Sequence, residues 1–93
     1  MAMRVRIDGA DIQTEAQFHA ALRQASGVDW YGGNLDALFD LLVAVVPPPI
    51  DLHWTNAARS RAAIGARFDR LLTVIFDAIA YRGADAITFR LES

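Results

Sequence analysis

Asp36 and Asp40 stand four residues apart in a stretch that holds no cation, and this pair is where chemistry could begin. On a helix that spacing places both carboxylates on one side, roughly 40° and about 6 Å from each other. Paired acids can perform general acid–base work, or they can offer negative charge to a cationic partner. The first use needs a pocket that shifts pKa values and positions a substrate, and a convex helix face provides none. Other reactive side chains are scattered. His19 and His53 have no ligand spacing between them, and each is expected at the surface. Ser26, Ser60 and Ser93 lack a nucleophile elbow. There is no cysteine, hence no disulfide framework and no thiolate metal site. The residues point to no catalytic group, no metal and no cofactor.

The neighbourhood of the two acids is unusual. From Gln24 to Ala58 there is no arginine, while Asp29, Asp36, Asp40 and Asp51 all fall inside. Six of the nine cations follow from Arg59 onward, and all nine are arginine. One third of the chain is therefore purely acidic, which favours a basic partner and repels phosphate. Trp30 and Tyr31 followed by Gly32-Gly33 make a loop with large aromatics, typical anchor material for an interface. One of the two rings is expected to fold back in part over the core. Glycines ahead of a helix can also cradle phosphate, but no GxGxxG or Walker pattern is present, and Asp36 already places negative charge there. Arg59, Arg61, Arg67 and Arg70, without interleaved aromatics, read as a solvated face and not as a nucleic-acid surface.

The elements that must hold these residues follow from periodicity. The chain of 93 residues, 54% hydrophobic, is expected to form a single domain over residues 1–93. Met3, Val5 and Ile7 alternate with arginines as a half-buried strand. Thr14 and Gln17 form a capping box for a first helix with Phe18, Ala21, Leu22 and Ala25 inward, ended by Gly27. Asn34 caps a second helix running to about Val46, where Pro47-Pro48-Pro49 stops it. Ile50, Leu52 and Trp54 mark a second strand. A short helix over Thr55 to Ala63, broken near Gly65, precedes a long one with the stripe Phe68, Leu71, Leu72, Ile75, Phe76 and Ile79. Ile87, Phe89 and Leu91 alternate as a third strand.

Strands separated by helices imply parallel pairing with right-handed crossovers. Alternation in all three strands says that only one sheet face is covered. The expected fold is a two-layer α/β domain, a three-stranded parallel sheet of order 1-2-3 with helices packed on one face. Arg4, Arg6, Asp51, His53, Thr88 and Arg90 would line the open face. The segment Met1 to Ala10 has charges and no apolar h-region, so no signal peptide is expected. The apolar run Leu41–Ile50 is too short for a membrane span.

On the second helix Leu35, Leu38, Leu42, Val45 and Val46 cluster toward the core. Asp36 and Asp40 lie on another side with no cation within four residues. Like charges at this spacing repel by a few tenths of a kcal/mol. Asp36 recovers part of that from the positive end of the helix dipole. Residue physics alone leaves two readings: an acidic face that nothing touches, and a face that becomes favourable when a cation docks.

The block Trp30-Tyr31-Gly32-Gly33-Asn34-Leu35-Asp36-Ala37-Leu38-Phe39-Asp40 resembles the barstar motif, an aromatic pair, Gly-x-Asn-Leu-Asp-Ala-Leu, an aromatic and Asp. The resemblance extends through the proline-rich step into Trp54 and the final helix closed by Gly83. It implies a barstar-like fold and a cytoplasmic inhibitor, monomeric when free, of a basic barnase-type ribonuclease. It further implies that loop and helix enter the ribonuclease cleft as a stand-in for RNA phosphates. Asp40 would be the central carboxylate and Asp36 its support. Trp30 occupies the place of the aromatic that stacks over the catalytic histidine, beside Tyr31. Gly32, Asn34 and Leu35 would line the contact, and Phe39 replaces an indole. A family glutamate on the final helix aligns with Ala78, next to Asp77, and a family tryptophan aligns with Val45. An immunity or interaction module of the same fold, directed at a different toxin or enzyme, is the alternative.

Overall fold

A computed structural model describes residues 3–93. Strand β1 (Met3–Asp8) leads through a tight turn to helix α1 (Glu15–Ser26), and a loop then reaches helix α2 (Leu35–Asp40). A π-helical turn over Leu41–Val45 continues α2. Strand β2 (Ile50–Thr55), helices α3 (Ala57–Ile64) and α4 (Ala66–Arg82) and strand β3 (Ile87–Leu91) complete the fold. The sheet is parallel throughout, in the order β1-β2-β3. Val5, Leu52 and Phe89 share one register row, and Arg6, His53 and Arg90 the next. This is the α/β architecture that the alternation predicts.

Each start and stop has a local cause. Thr14 Oγ1 accepts from the Gln17 backbone N–H while Gln17 Oε1 accepts from that of Thr14, which closes the capping box of α1. Asn34 Oδ1 accepts from the Ala37 N–H at 2.8 Å and starts α2. Gly9 is required by space: a Cβ there would lie 1.8 Å from the Asn56 carbonyl oxygen. The turn it belongs to is tied by Asp8 Oδ1, which accepts from Ala10 N–H and Asn56 Nδ2.

The covered sheet face packs Met3, Val5, Ile7, Leu52 and Trp54 beneath the helices. Trp54 is fully buried between Phe18, stacked at 5.0 Å between centroids, and Phe68, edge-on at 5.1 Å. Its indole N–H donates to Ser60 Oγ, and the Ser60 hydroxyl donates to the Ile12 carbonyl. Ser60 is thus a buried structural link that satisfies an otherwise costly polar group. On the open face Asp51 lies between Arg4 at 3.7 Å and Arg90 at 3.6 Å, so the charges there offset one another.

Three expectations need correction. The second helix does not run as a regular α-helix to Val46. The Val46 N–H donates to the Leu41 carbonyl, five residues back, and this wider turn keeps Leu41 and Leu42 both inside. Leu41 therefore belongs to the core, while Leu35 and Val45 are half-buried. On α4 the inward stripe takes Ala78 in place of Phe76, which is 53% exposed and meets Phe89 edge-on. His19, expected at the surface, is buried, because Tyr31 and Glu15 supply partners for both ring nitrogens.

Candidate protein-binding site

The loop ahead of α2 is held from inside. Tyr31 turns inward and its hydroxyl meets His19 Nδ1. His19 Nε2 faces Glu15 Oε2 at 2.9 Å, and Glu15 Oε1 accepts from Arg67 Nε at 2.7 Å. The chain of contacts thus runs from α4 through α1 to the loop. Arg23 adds a second tether: Nη2 donates to the Tyr31 carbonyl at 2.9 Å, and the guanidinium lies 5.8 Å from the ring centroid. Burial pushes the Tyr31 phenol well above its ordinary pKa, so it stays protonated. The Arg67 hydrogen bond holds the Glu15 carboxyl below its usual value against the opposing effect of burial, and His19 adds to the lowering. Gly33 has φ 70°, a left-handed conformation that glycine adopts without strain, and a Cβ there would press on Arg23 Nη2 at 3.3 Å.

With Tyr31 committed to the interior, its neighbour Trp30 is left outside, 73% exposed. Of the aromatic pair in the motif, one ring anchors the loop and the other is free to meet a partner. Trp30 and Asp40 line the same hollow, together with Tyr31, Gly32, Ala37, Leu41 and Val45. Asp36 is exposed one turn before Asp40. Gly32 and Asn34 are exposed, and Leu35 and Phe39 half-buried, so all of these sequence-selected residues except Tyr31 present surface. Phe39 packs against Tyr81 of α4, with centroids 5.8 Å apart and ring planes at 70°.

Among the described residues neither Asp36 nor Asp40 forms an ion pair. Several of the arginines are engaged elsewhere. Arg23 holds Tyr31, Arg67 holds Glu15, and Arg61 pairs with Asp69 at 3.4 Å. Arg82 Nη1 donates to the carbonyls of Leu42 at 2.6 Å and Val46 at 2.7 Å. That bond set explains how the π-helical turn can end at prolines, which have no N–H to offer its last carbonyls. It also fixes the end of the acidic helix to α4.

Two features escape a reading of the sequence. His19 is a polar residue at a core position, and only its spacing of four from Glu15 hints at a partner. The position that aligns with the family's final-helix carboxylate carries no charge and lies inside. Ala78 is fully buried, and Asp77 beside it is exposed one turn before Tyr81. Among the described residues no group of three His, Asp or Glu side chains could hold a metal ion, and no helix is long and apolar enough to cross a membrane.

The family model described as Barstar (barnase inhibitor) matches residues 2–93. A protein of Bacillus subtilis (strain 168), named "Putative ribonuclease inhibitor YrdF", is 36% identical over 76 residues, which span 81% of this chain and 84% of that protein. The family consists of inhibitors and not enzymes. With the parallel sheet, the four helices and the motif at residues 30–40 in place, the chain belongs to the barstar family.

Proposed function

We propose that this protein inhibits a basic ribonuclease of the barnase type by occupying its active-site cleft. The observation that carries this reading is the placement of Asp40, unpaired and exposed, at the same hollow as the solvent-facing Trp30. An RNA-binding cleft must present cations to phosphates, and it can receive carboxylates in the same positions. Asp36 and Asp40 supply two charges on one side of α2, already held in place by the Asn34 cap and the Arg82 bonds. Trp30 supplies a large aromatic surface beside them, and Gly32, Asn34 and Leu35 supply the close-fitting rim. The carbonyl-tethered Tyr31 lines the hollow from within, and Phe39 packs against α4 beside it. The inhibitor acts as a monomer in the cytoplasm, where it protects the cell from the enzyme. It contacts neither RNA nor membrane in this role.

The test is direct. Purified protein is titrated into barnase with a fluorogenic RNA substrate at low and at high salt. Inhibition that competes with substrate and weakens with salt is expected, because opposite charges steer the encounter. Full RNA cleavage at a large excess of protein would refute the reading.

A further inference from the structure

The outer edge of β1 carries open backbone groups beside a groove. The order β1-β2-β3 gives β1 a neighbour on one side only. The Met3 N–H donates to the Pro49 carbonyl and the Gly9 N–H to the Thr55 carbonyl. The odd-numbered residues of β1 therefore turn their backbone groups to β2. Direction alternates along a strand, so Arg4 and Arg6 turn theirs outward, away from the sheet. Among the described residues nothing outside β1 hydrogen-bonds to those groups. Arg4, Val5 and Arg6 form one wall of the groove, and Ala21, Gln24 and Ala25 of α1 form the other. A strand edge facing a helix with small side chains is a shape that admits an extended segment as an added strand.

Charge selects the segment. The Arg4 and Arg6 side chains are both exposed on the open sheet face. Arg6 has no ion pair among the described residues, and Arg4 shares Asp51 with Arg90. Asp8, two residues on, is committed to Ala10 and Asn56. Arginines guard an edge against casual pairing with apolar strands. An acid directly across from each is favourable. We propose that the β1 edge takes up an extended acidic segment of another protein as a fourth strand, its acids alternating with small apolar residues. The acids stand beside Arg4 and Arg6, and the intervening side chains lie on the opposite face, toward Ala21 and Ala25. A second copy of this chain is a poor occupant, because antiparallel pairing of β1 with itself about Val5 sets Arg4 against Arg6. The groove shares no residue with the hollow of Trp30 and Asp40 and carries the opposite charge. This surface is therefore separate from the inhibitory one and does not depend on it.

The probe is a fluorescein-labelled octapeptide of alternating glutamate and valine, titrated with the protein and read by anisotropy. One control peptide places all its glutamates ahead of all its valines, and another carries lysine for glutamate. Binding of the alternating peptide alone, weakening with salt, is expected. Hydrogen exchange should show the Arg4 and Arg6 amides protected in its presence. Arg6→Glu should weaken binding roughly 3- to 30-fold by setting like charges across the new pair. Ala25→Tyr fills the groove without a change of charge and should weaken it as well. Circular dichroism confirms that both variants fold. No binding at millimolar protein, or binding that leaves both amides exchanging freely, would overturn the proposal. Equal binding of the alternating and block peptides would reduce the edge to a charged patch and count as refutation. A dimer of the protein alone, with the two amides already protected, would assign the edge to a second copy and defeat the proposal too.

Discussion

Tyr31 and His19, twelve residues apart in sequence, meet inside the molecule, with the tyrosine hydroxyl against Nδ1 of the histidine. The opposite nitrogen faces a carboxylate, which can only accept, so in the neutral ring Nε2 carries the proton and Nδ1 accepts from Tyr31. This one contact decides which aromatic of the loop is interior and which is left for a partner.

Replacing Tyr31 by Phe removes the hydroxyl and leaves a buried ring nitrogen without a partner. The expected cost is about 1–3 kcal/mol of folding stability, read from urea denaturation. Association with barnase should slow more than dissociation quickens, because Trp30 is then presented from a looser loop. Unchanged stability would show that the Tyr31–His19 contact contributes nothing net.

Asp40→Ala should weaken inhibition of barnase by at least about 30-fold, the scale of a hot spot at the centre of an interface. Asp36→Ala should cost less, since Asp40 and not Asp36 lines the hollow that Trp30 shares. That general scale includes measurements on the barnase–barstar pair itself, a related system. Inhibition constants for the two variants at one salt concentration decide the ranking, and equal values would contradict it.

Acid should loosen the fold through Glu15. Its carboxyl is lowered from the ordinary 4.5 by Arg67 first and by His19 as well, against the effect of burial. A depressed carboxylate contributes stability that is present above its unfolded pKa and is lost as pH falls through its folded pKa. The stability difference between wild type and Glu15→Gln should therefore be full near neutrality, and it should shrink as pH falls below the ordinary 4.5 and through the lowered folded-state value. Urea midpoints for both proteins across that range give the measurement.

Arg82→Ala should destabilise the fold by about 1–3 kcal/mol, because the carbonyls of Leu42 and Val46 lose their common donor. For a domain of this size each kcal/mol lowers Tm by roughly 4–8 °C. Arg82→Lys should recover part of the loss, since an ammonium can reach one carbonyl but does not hold the planar fork of a guanidinium.

Much of this was legible in the residues. Strand alternation gave the parallel sheet and its open face, because Met3, Val5 and Ile7 face one way and Arg4 and Arg6 the other. The capping signals at Thr14 and Asn34 placed two helix starts correctly. Asp36, Asp40 and Trp30 stood out as acids without cations and an aromatic beside glycines, and all three lie at the surface. What was hidden depends on geometry beyond local pattern. The π-helical turn breaks the 3.6 period on which any helical wheel relies, and no local pattern signals it. Neighbours on a helix stand about 100° apart, so Ala78 is buried while Asp77 is exposed, and the stripe takes Ala78 where the sequence suggested Phe76. His19 was hidden because its burial depends on Tyr31 and Glu15 arriving together.

The bonds from Arg82 to the turn after α2 join segments 36 and 40 residues apart. A six-residue helix is too short to persist in isolation, and the turn that follows it takes two of its carbonyl bonds from that distant guanidinium. The acidic face therefore keeps its shape only while α4 is docked behind it. Loosening of the last long helix would reach Asp36 and Asp40 through a single guanidinium, without touching either carboxylate.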